Sequence, residues 1–158
     1  MMIANMAAGQ IAIRHDCRGP AMPSVTACAS GSNAIGEAMR QIRHGYADAV
    51  ITGGTEAAIS PSAVAGFANM KALSEAADPN AASLPFDRRR GGFVMGEGAV
   101  ALILEEYEHA RARGARIYGE LCGYGSTCDA YHMTAPHPEA RGGAKALLDA
   151  MQEAGYTV

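Results

Sequence analysis

The chain has 158 residues, long enough for one domain with a real core, and a formal net charge of -3. That balance offers no electrostatic footprint for nucleic acid, and no apolar run reaches membrane-spanning length, so neither nucleic acid nor a membrane is expected as a partner. The four cysteines, Cys17, Cys28, Cys122 and Cys128, are too sparse for a disulfide framework and point to a reducing cytoplasm.

Residues Ile3 to Ile13 carry Ile3, Met6, Ala7 and Ile11 near one helical face. No basic region precedes them, so they do not read as a signal peptide. No capping residue stands before Met2; the helix lacks a start signal, which hints at truncation. Arg18-Gly19-Pro20 is a turn. Ser24 to Ala27 reads as a short strand that turns at Cys28 into a helix. Ile35, Ala38, Met39 and Ile42 share one face of that helix, and Gly45 stops it. A cysteine at a helix start meets unpaired backbone N–H groups and the positive end of the dipole, which favour the nucleophilic thiolate. The layout is that of a strand–turn–helix nucleophile elbow with sulfur as the nucleophile. The alternative is a buried cysteine acting as a small hydrophobe.

Asp48 to Thr52 reads as a buried strand closed by Gly53-Gly54, with Thr55-Glu56 at its end. Ser60-Pro61 supplies a cap and a first helical residue for a helix through Phe67 to about Met70, ended by Lys71 to Ser74. A polar loop covers Glu75 to Ser83. Arg88-Arg89-Arg90 is a solvated loop, an anchor for Asp87 and the following glutamates, or a docking patch that Lys71 joins if the fold brings them together. Ala99 to Leu104 is an apolar strand. Glu105 to Arg113 is a helix with acids first and arginines last, stopped by Gly114. Ile117 to Tyr124 reads as a strand and Ser126 to His137 as a loop holding His132 and Thr134. Pro138 opens a last helix with Ala144, Leu147, Leu148 and Met151 on one face and Gly155 at its end. The alternation predicts an α/β fold with a mainly parallel or mixed sheet and a soft boundary near Gly114-Ala115, giving segments 1–114 and 115–158.

Gly96-Glu97-Gly98-Ala99-Val100-Ala101 spells a dinucleotide fingerprint but precedes a strand instead of following one, so it reads as a tight loop. Cys122, Cys128 and His132 lack both paired spacing and a fourth ligand. Neither a cofactor nor a metal is expected. His15, His44 and His109 fit solvent or dipole roles.

Several segments together resemble one family. Thr26-Ala27-Cys28-Ala29-Ser30-Gly31, Asp48-Ala49 through Gly53-Gly54-Thr55-Glu56, Pro85-Phe86-Asp87, Gly92-Phe93-Val94-Met95-Gly96-Glu97-Gly98, Leu104-Glu105-Glu106 and Asp129-Ala130-Tyr131-His132 are similar to segments of the β-ketoacyl-acyl carrier protein synthases. Ala29-Ser30-Gly31 favours the discrete elongating enzymes of fatty acid biosynthesis over modular polyketide ketosynthases, which carry serines there. The resemblance implies a thiolase-like fold of two pseudo-repeated halves. This chain would supply its centre: the later part of the first half in 1–114 and the start of the second in 115–158.

The resemblance also implies roles. Cys28 would be the nucleophile that takes an acyl chain, its own N–H one oxyanion donor. Ala27, Phe67 and Thr134 would be substrate-binding, Phe67 along the acyl chain and Thr134 at the pantetheine arm. Lys71 would meet the acidic acyl carrier protein. The complete enzyme would be a homodimer that condenses the acyl-cysteine with malonyl-ACP. The family's two histidine motifs, of HGT and GHxxGA type, match none of the five histidines here, so this chain alone is expected not to condense. Uncovered sheet edges also predict poor solubility in isolation. Two rivals stay open: a non-catalytic dimerisation or chain-length partner, which usually lacks the cysteine, and a truncated inactive remnant.

Overall fold

The computed structural model describes residues 3–157. The unbroken elements are helix α1 (Met6–His15), helix α2 (Ser30–Arg43), strand β1 (Ala49–Glu56), helix α3 (Pro61–Asn69), a 3-10 turn (Pro79–Ala81), strand β2 (Gly98–Glu105), helix α4 (Tyr107–Ala112) and helix α5 (Arg141–Glu153). The chain divides into two compact units, Met1–Gly53 with Ala101–Val158, and Gly54–Val100. The uncapped start expected at Met1 and Met2 lies outside the described residues.

In the larger unit, α2 follows its sequence signals closely. Ala38 and Met39 of the anticipated face are 3% and 5% exposed, and Gly45 takes a φ of +71° one residue past the His44 cap, where glycine fits without strain. β1 and β2 form a two-stranded sheet. The Glu106 N–H donates to the Asp48 carbonyl at 2.9 Å, which puts the end of β2 beside the start of β1, so this pair is antiparallel. Both strands run longer than expected, and neither is buried: Val100 and Ile103 are 68% and 67% exposed. An apolar run makes a strand here, but no layer covers it among the described residues.

Three sequence expectations need correcting. Ser24 to Ala27 and Ile117 to Tyr124 form no ladder strand; no neighbouring strand among the described residues offers either one a row of partners. The last helix begins at Arg141, not Pro138, after Ala140 in the left-handed region at φ +50°. Leu147, Leu148 and Met151 of the expected apolar face are exposed, and the half-buried Ala146 and Ala150 lie against the chain. A Cβ built on Gly123 would stand 2.0 Å from the Ala150 carbonyl oxygen, and one on Gly125 1.9 Å from that of Ala146. Glycine at both positions lets this stretch lie directly on α5.

The smaller unit is built round α3. Ser60 caps it, its Oγ accepting from the Ala63 N–H, and Pro61 fills the first helical position. Lys71 ends it at φ +53°. Beyond it, the Ser74 N–H donates to the Phe93 carbonyl and the Phe93 N–H to the Ala72 carbonyl, each at 2.9 Å. This pairing sets Phe93 edge-on to Phe67, ring centroids 5.2 Å apart.

Candidate functional site

Cys28 is a free, exposed thiol two residues before α2. The burial alternative is thereby removed within this chain. Residues 26–29 form the turn that carries it. The Ala29 N–H donates to the Thr26 carbonyl at 3.2 Å and the Ser30 N–H to the Ala27 carbonyl at 3.1 Å. Those two N–H groups close the turn and are not aimed at the sulfur, which corrects part of the sequence argument for thiolate support. Ala27 sits at φ +51°, a left-handed conformation that costs a residue with a Cβ about 1–2 kcal/mol.

Side chains over-determine this turn. Ser30 Oγ accepts from the Thr26 N–H at 2.8 Å and donates to the Ala27 carbonyl at 2.7 Å, bridging the residues on either side of the bend. Asn33, one helical turn on, donates from Nδ2 to Thr26 Oγ1 at 2.7 Å. Its Oδ1 accepts from the Tyr124 hydroxyl at 2.6 Å. Tyr124 is fixed in turn: its N–H donates to Glu153 Oε2 at 2.7 Å, and Glu153 pairs with Arg43 at 2.6 Å. The Arg40 guanidinium lies 5.1 Å over its ring. Asn33 and Tyr124 were not singled out from sequence, and nothing local marked the second.

Ala27 and Cys28 belong to the larger unit, as does Thr134; Phe67 and Lys71 belong to the smaller. Thr134 is exposed in a turn organised by His132, whose Nδ1 accepts from the Thr134 and Ala135 N–H groups at 3.2 and 3.1 Å. Asp129 frames the same loop, accepting from the His137 N–H at 2.9 Å and the Gly142 N–H at 3.1 Å. Phe67 is half-buried against Phe93. Lys71 is exposed and lines a shallow depression with Glu75, Arg89 and Gly92, so the smaller unit does bring Lys71 and the arginine run together. Arg89 is already engaged. It grips both carboxylate oxygens of Asp87 at 3.0 and 2.9 Å, and that side-chain bond holds the Asp87 carboxyl below its ordinary range. Arg90 donates to the Asp87 carbonyl at 2.8 Å. The expected anchoring of Asp87 is present, whereas Glu97 accepts from the Ile59 N–H at 2.9 Å and makes no pair with the arginines.

An exposed thiol on a turn at a helix start is an arrangement suited to a nucleophilic cysteine. A family model for the β-ketoacyl synthase N-terminal domain matches residues 1–110, and the chain belongs to that family. Among its relatives, the 3-oxoacyl-[acyl-carrier-protein] synthase 2 of Synechocystis sp. is 59% identical over 98% of this chain, and that of Staphylococcus aureus is 54% identical over 98%. This chain spans 38% of the length of each. A solved ketosynthase of a type II polyketide system, in complex with its acyl carrier protein and bound to the hexaketide, superposes with a TM-score of 0.92 at 40% identity. It covers 96% of this chain and 38% of its own.

Proposed function

We propose that this chain carries the acyl-accepting centre of a 3-oxoacyl-ACP synthase of fatty acid elongation. The observation that carries the reading is Cys28: a free, exposed thiol on a turn held in a left-handed bend at the start of α2. The higher identity to elongating synthases than to the polyketide ketosynthase, 59% against 40%, supports the fatty acid branch. In the first half-reaction the Cys28 thiolate attacks the thioester carbonyl of acyl-ACP. A carbon–sulfur bond forms to Cys28, the bond to the pantetheine sulfur breaks, and that sulfur leaves as a thiol once protonated. The Cys28 N–H serves as one oxyanion donor. By the family's roles, Phe67 lines the acyl pocket, Ala27 binds substrate, Thr134 meets the pantetheine arm, and Lys71 meets the acidic carrier.

In the second half-reaction malonyl-ACP loses carbon dioxide, and as it leaves, charge builds on the malonyl thioester oxygen, which in the family two histidines hold. The resulting enolate carbon attacks the acyl-cysteine carbonyl; a carbon–carbon bond forms, the carbon–sulfur bond to Cys28 breaks, and the Cys28 thiolate is released. None of the five histidines here stands in the family's histidine motifs. We assign condensation to a homodimeric polypeptide of the cytoplasm that supplies them, and only acyl capture to the residues described. The experiment is incubation of the polypeptide with acyl-ACP followed by peptide mass spectrometry. An acyl group on Cys28, lost in Cys28→Ser, is the expected result. Capture elsewhere, or none in the wild type, overturns the reading. Formation of 3-oxoacyl-ACP by these 158 residues alone would overturn the division of labour.

A further inference from the structure

We infer that Tyr124 is a positioning residue for Cys28, acting through Asn33 and Thr26; the inference deepens the acyl-capture reading and rests on it. The nucleophile's turn is not self-sufficient. Its bend places Ala27 in the left-handed region, which persists only where the surroundings hold it. Ser30 braces the bend from within the turn. The brace from outside is Asn33, which reaches back to Thr26 Oγ1 at 2.7 Å and is itself tied at Oδ1 to the Tyr124 hydroxyl at 2.6 Å. Thr26 stands two residues before the sulfur. The path from hydroxyl to nucleophile is therefore two hydrogen bonds and a stretch of turn backbone.

Tyr124 can serve as the fixed point because two helices clamp it. Its backbone N–H is held by Glu153 of α5, and Glu153 is paired with Arg43 of α2. Arg43 also donates to the Cys122 carbonyl. Gly123 and Gly125 on either side of Tyr124 seat the backbone against α5, and its ring fills the space beside Gly36 of α2. A residue 91 positions from Asn33 in sequence thus sets where the first turn of α2 holds Thr26. A sulfur shifted from its attack geometry slows group transfer more than it weakens binding of the donor, since misplacement by about 1 Å can cost about a hundredfold in rate.

The test measures single-turnover acyl capture in the full polypeptide as acyl-ACP is varied. Tyr124→Phe removes one oxygen and keeps the ring. It is expected to lower the maximal capture rate about tenfold and to leave the half-saturating concentration unchanged. Asn33→Ala is expected to do the same, and the double variant to be no slower than Asn33→Ala, because the hydroxyl acts through that amide. Should Asn33→Ala fail to fold, Thr26→Val, which removes the receiving hydroxyl, takes its place in the cycle. An unchanged maximal rate in Tyr124→Phe, a change confined to half-saturation, or fully additive effects overturns the inference. Alkylation of Cys28 by iodoacetamide needs no acyl donor. If wild type captures no acyl group while Tyr124→Phe still slows alkylation at Cys28 several-fold, acyl capture fails and the positioning inference stands. If neither reaction responds to the substitution, the inference fails.

Discussion

The ring of Tyr124 occupies the space in which a side chain at Gly36 would stand: a Cβ built on Gly36 meets the ring carbons at 2.3–2.4 Å. Gly36 is buried in the middle of α2, where glycine costs helix stability of about 1 kcal/mol relative to alanine. The close seating of Tyr124 explains its presence. Gly36→Ala gains helix propensity but overpacks the contact, with a net loss of about 1–2 kcal/mol expected. Chemical unfolding of the full polypeptide measures it. The same displacement drags the Tyr124 hydroxyl from Asn33, so acyl capture should slow along with the loss of stability. A Gly36→Ala protein as stable and as fast as wild type would show that the ring moves aside freely.

Glu105 ends β2 and is the most perturbed carboxylate among the described residues. Arg113 grips both of its oxygens at 2.7 and 2.6 Å, and His109 Nδ1 stands 2.5 Å from one of them. The side chain is 9% exposed, and the Arg113 hydrogen bonds hold its carboxyl down from 4.5 to about 2, with His109 a smaller cause. The folded form thus binds fewer protons than the unfolded form between these values. The stabilising contribution is complete above the ordinary carboxylate range and is lost as pH falls from 4.5 to about 2. Wild type minus Glu105→Gln, measured as the difference in unfolding midpoint, should be constant above about pH 5.5 and shrink steadily below it. A difference that does not change with acid would mean the pair carries no proton linkage.

The parts of the fold that were legible in sequence are those governed by local chemistry. The Ser60-Pro61 start of α3, the Gly45 and Gly114 stops and the Ala38 and Met39 face of α2 each follow from a neighbouring residue or a helical period. The segment from Ile117 to Tyr124 was misread because strand propensity says what a stretch can pair with, not whether a partner lies beside it. What α5 packs against was not legible for a related reason: Leu147, Leu148 and Met151 share the expected apolar face but stay exposed, while the backbone of Ala146 and Ala150 lies against Gly125 and Gly123. The turn that carries Cys28 at the start of α2 was legible from local signals. The tie from Asn33 to Tyr124 was not, since it is a contact across 91 residues.

Ala27 offers a direct probe of the strain beside the nucleophile. At φ +51° a Cβ is unwelcome, and a branched one more so. Ala27→Gly relieves about 1 kcal/mol of strain and loses a similar amount to the freer unfolded chain, so its unfolding midpoint should stay close to wild type. Ala27→Val should lose about 2 kcal/mol or more, or force the turn out of its left-handed bend. If the bend serves acyl capture, Ala27→Gly should slow capture despite its near-normal stability, because the turn gains freedom. Capture at the wild-type rate in both variants would remove any functional meaning from the conformation.

The Thr134 turn depends on a lone pair of His132. Two N–H groups, those of Thr134 and Ala135, converge on Nδ1, which requires the ring to be neutral with its proton on Nε2. His132→Ala leaves both N–H groups to water. Because the turn is exposed, the stability cost should stay below about 1 kcal/mol. If Thr134 meets the carrier arm as proposed, the effect falls on binding: the half-saturating concentration of acyl-ACP should rise several-fold while the maximal capture rate changes little. His132→Asn restores a side-chain oxygen able to accept from N–H groups two and three residues on, the geometry of an Asx turn, and should recover part of the lost affinity. This pattern is the opposite of that expected for Tyr124→Phe, which acts on rate. Should both variants change the same kinetic parameter, the separation between a nucleophile held by Tyr124 and a carrier arm met by Thr134 would not stand.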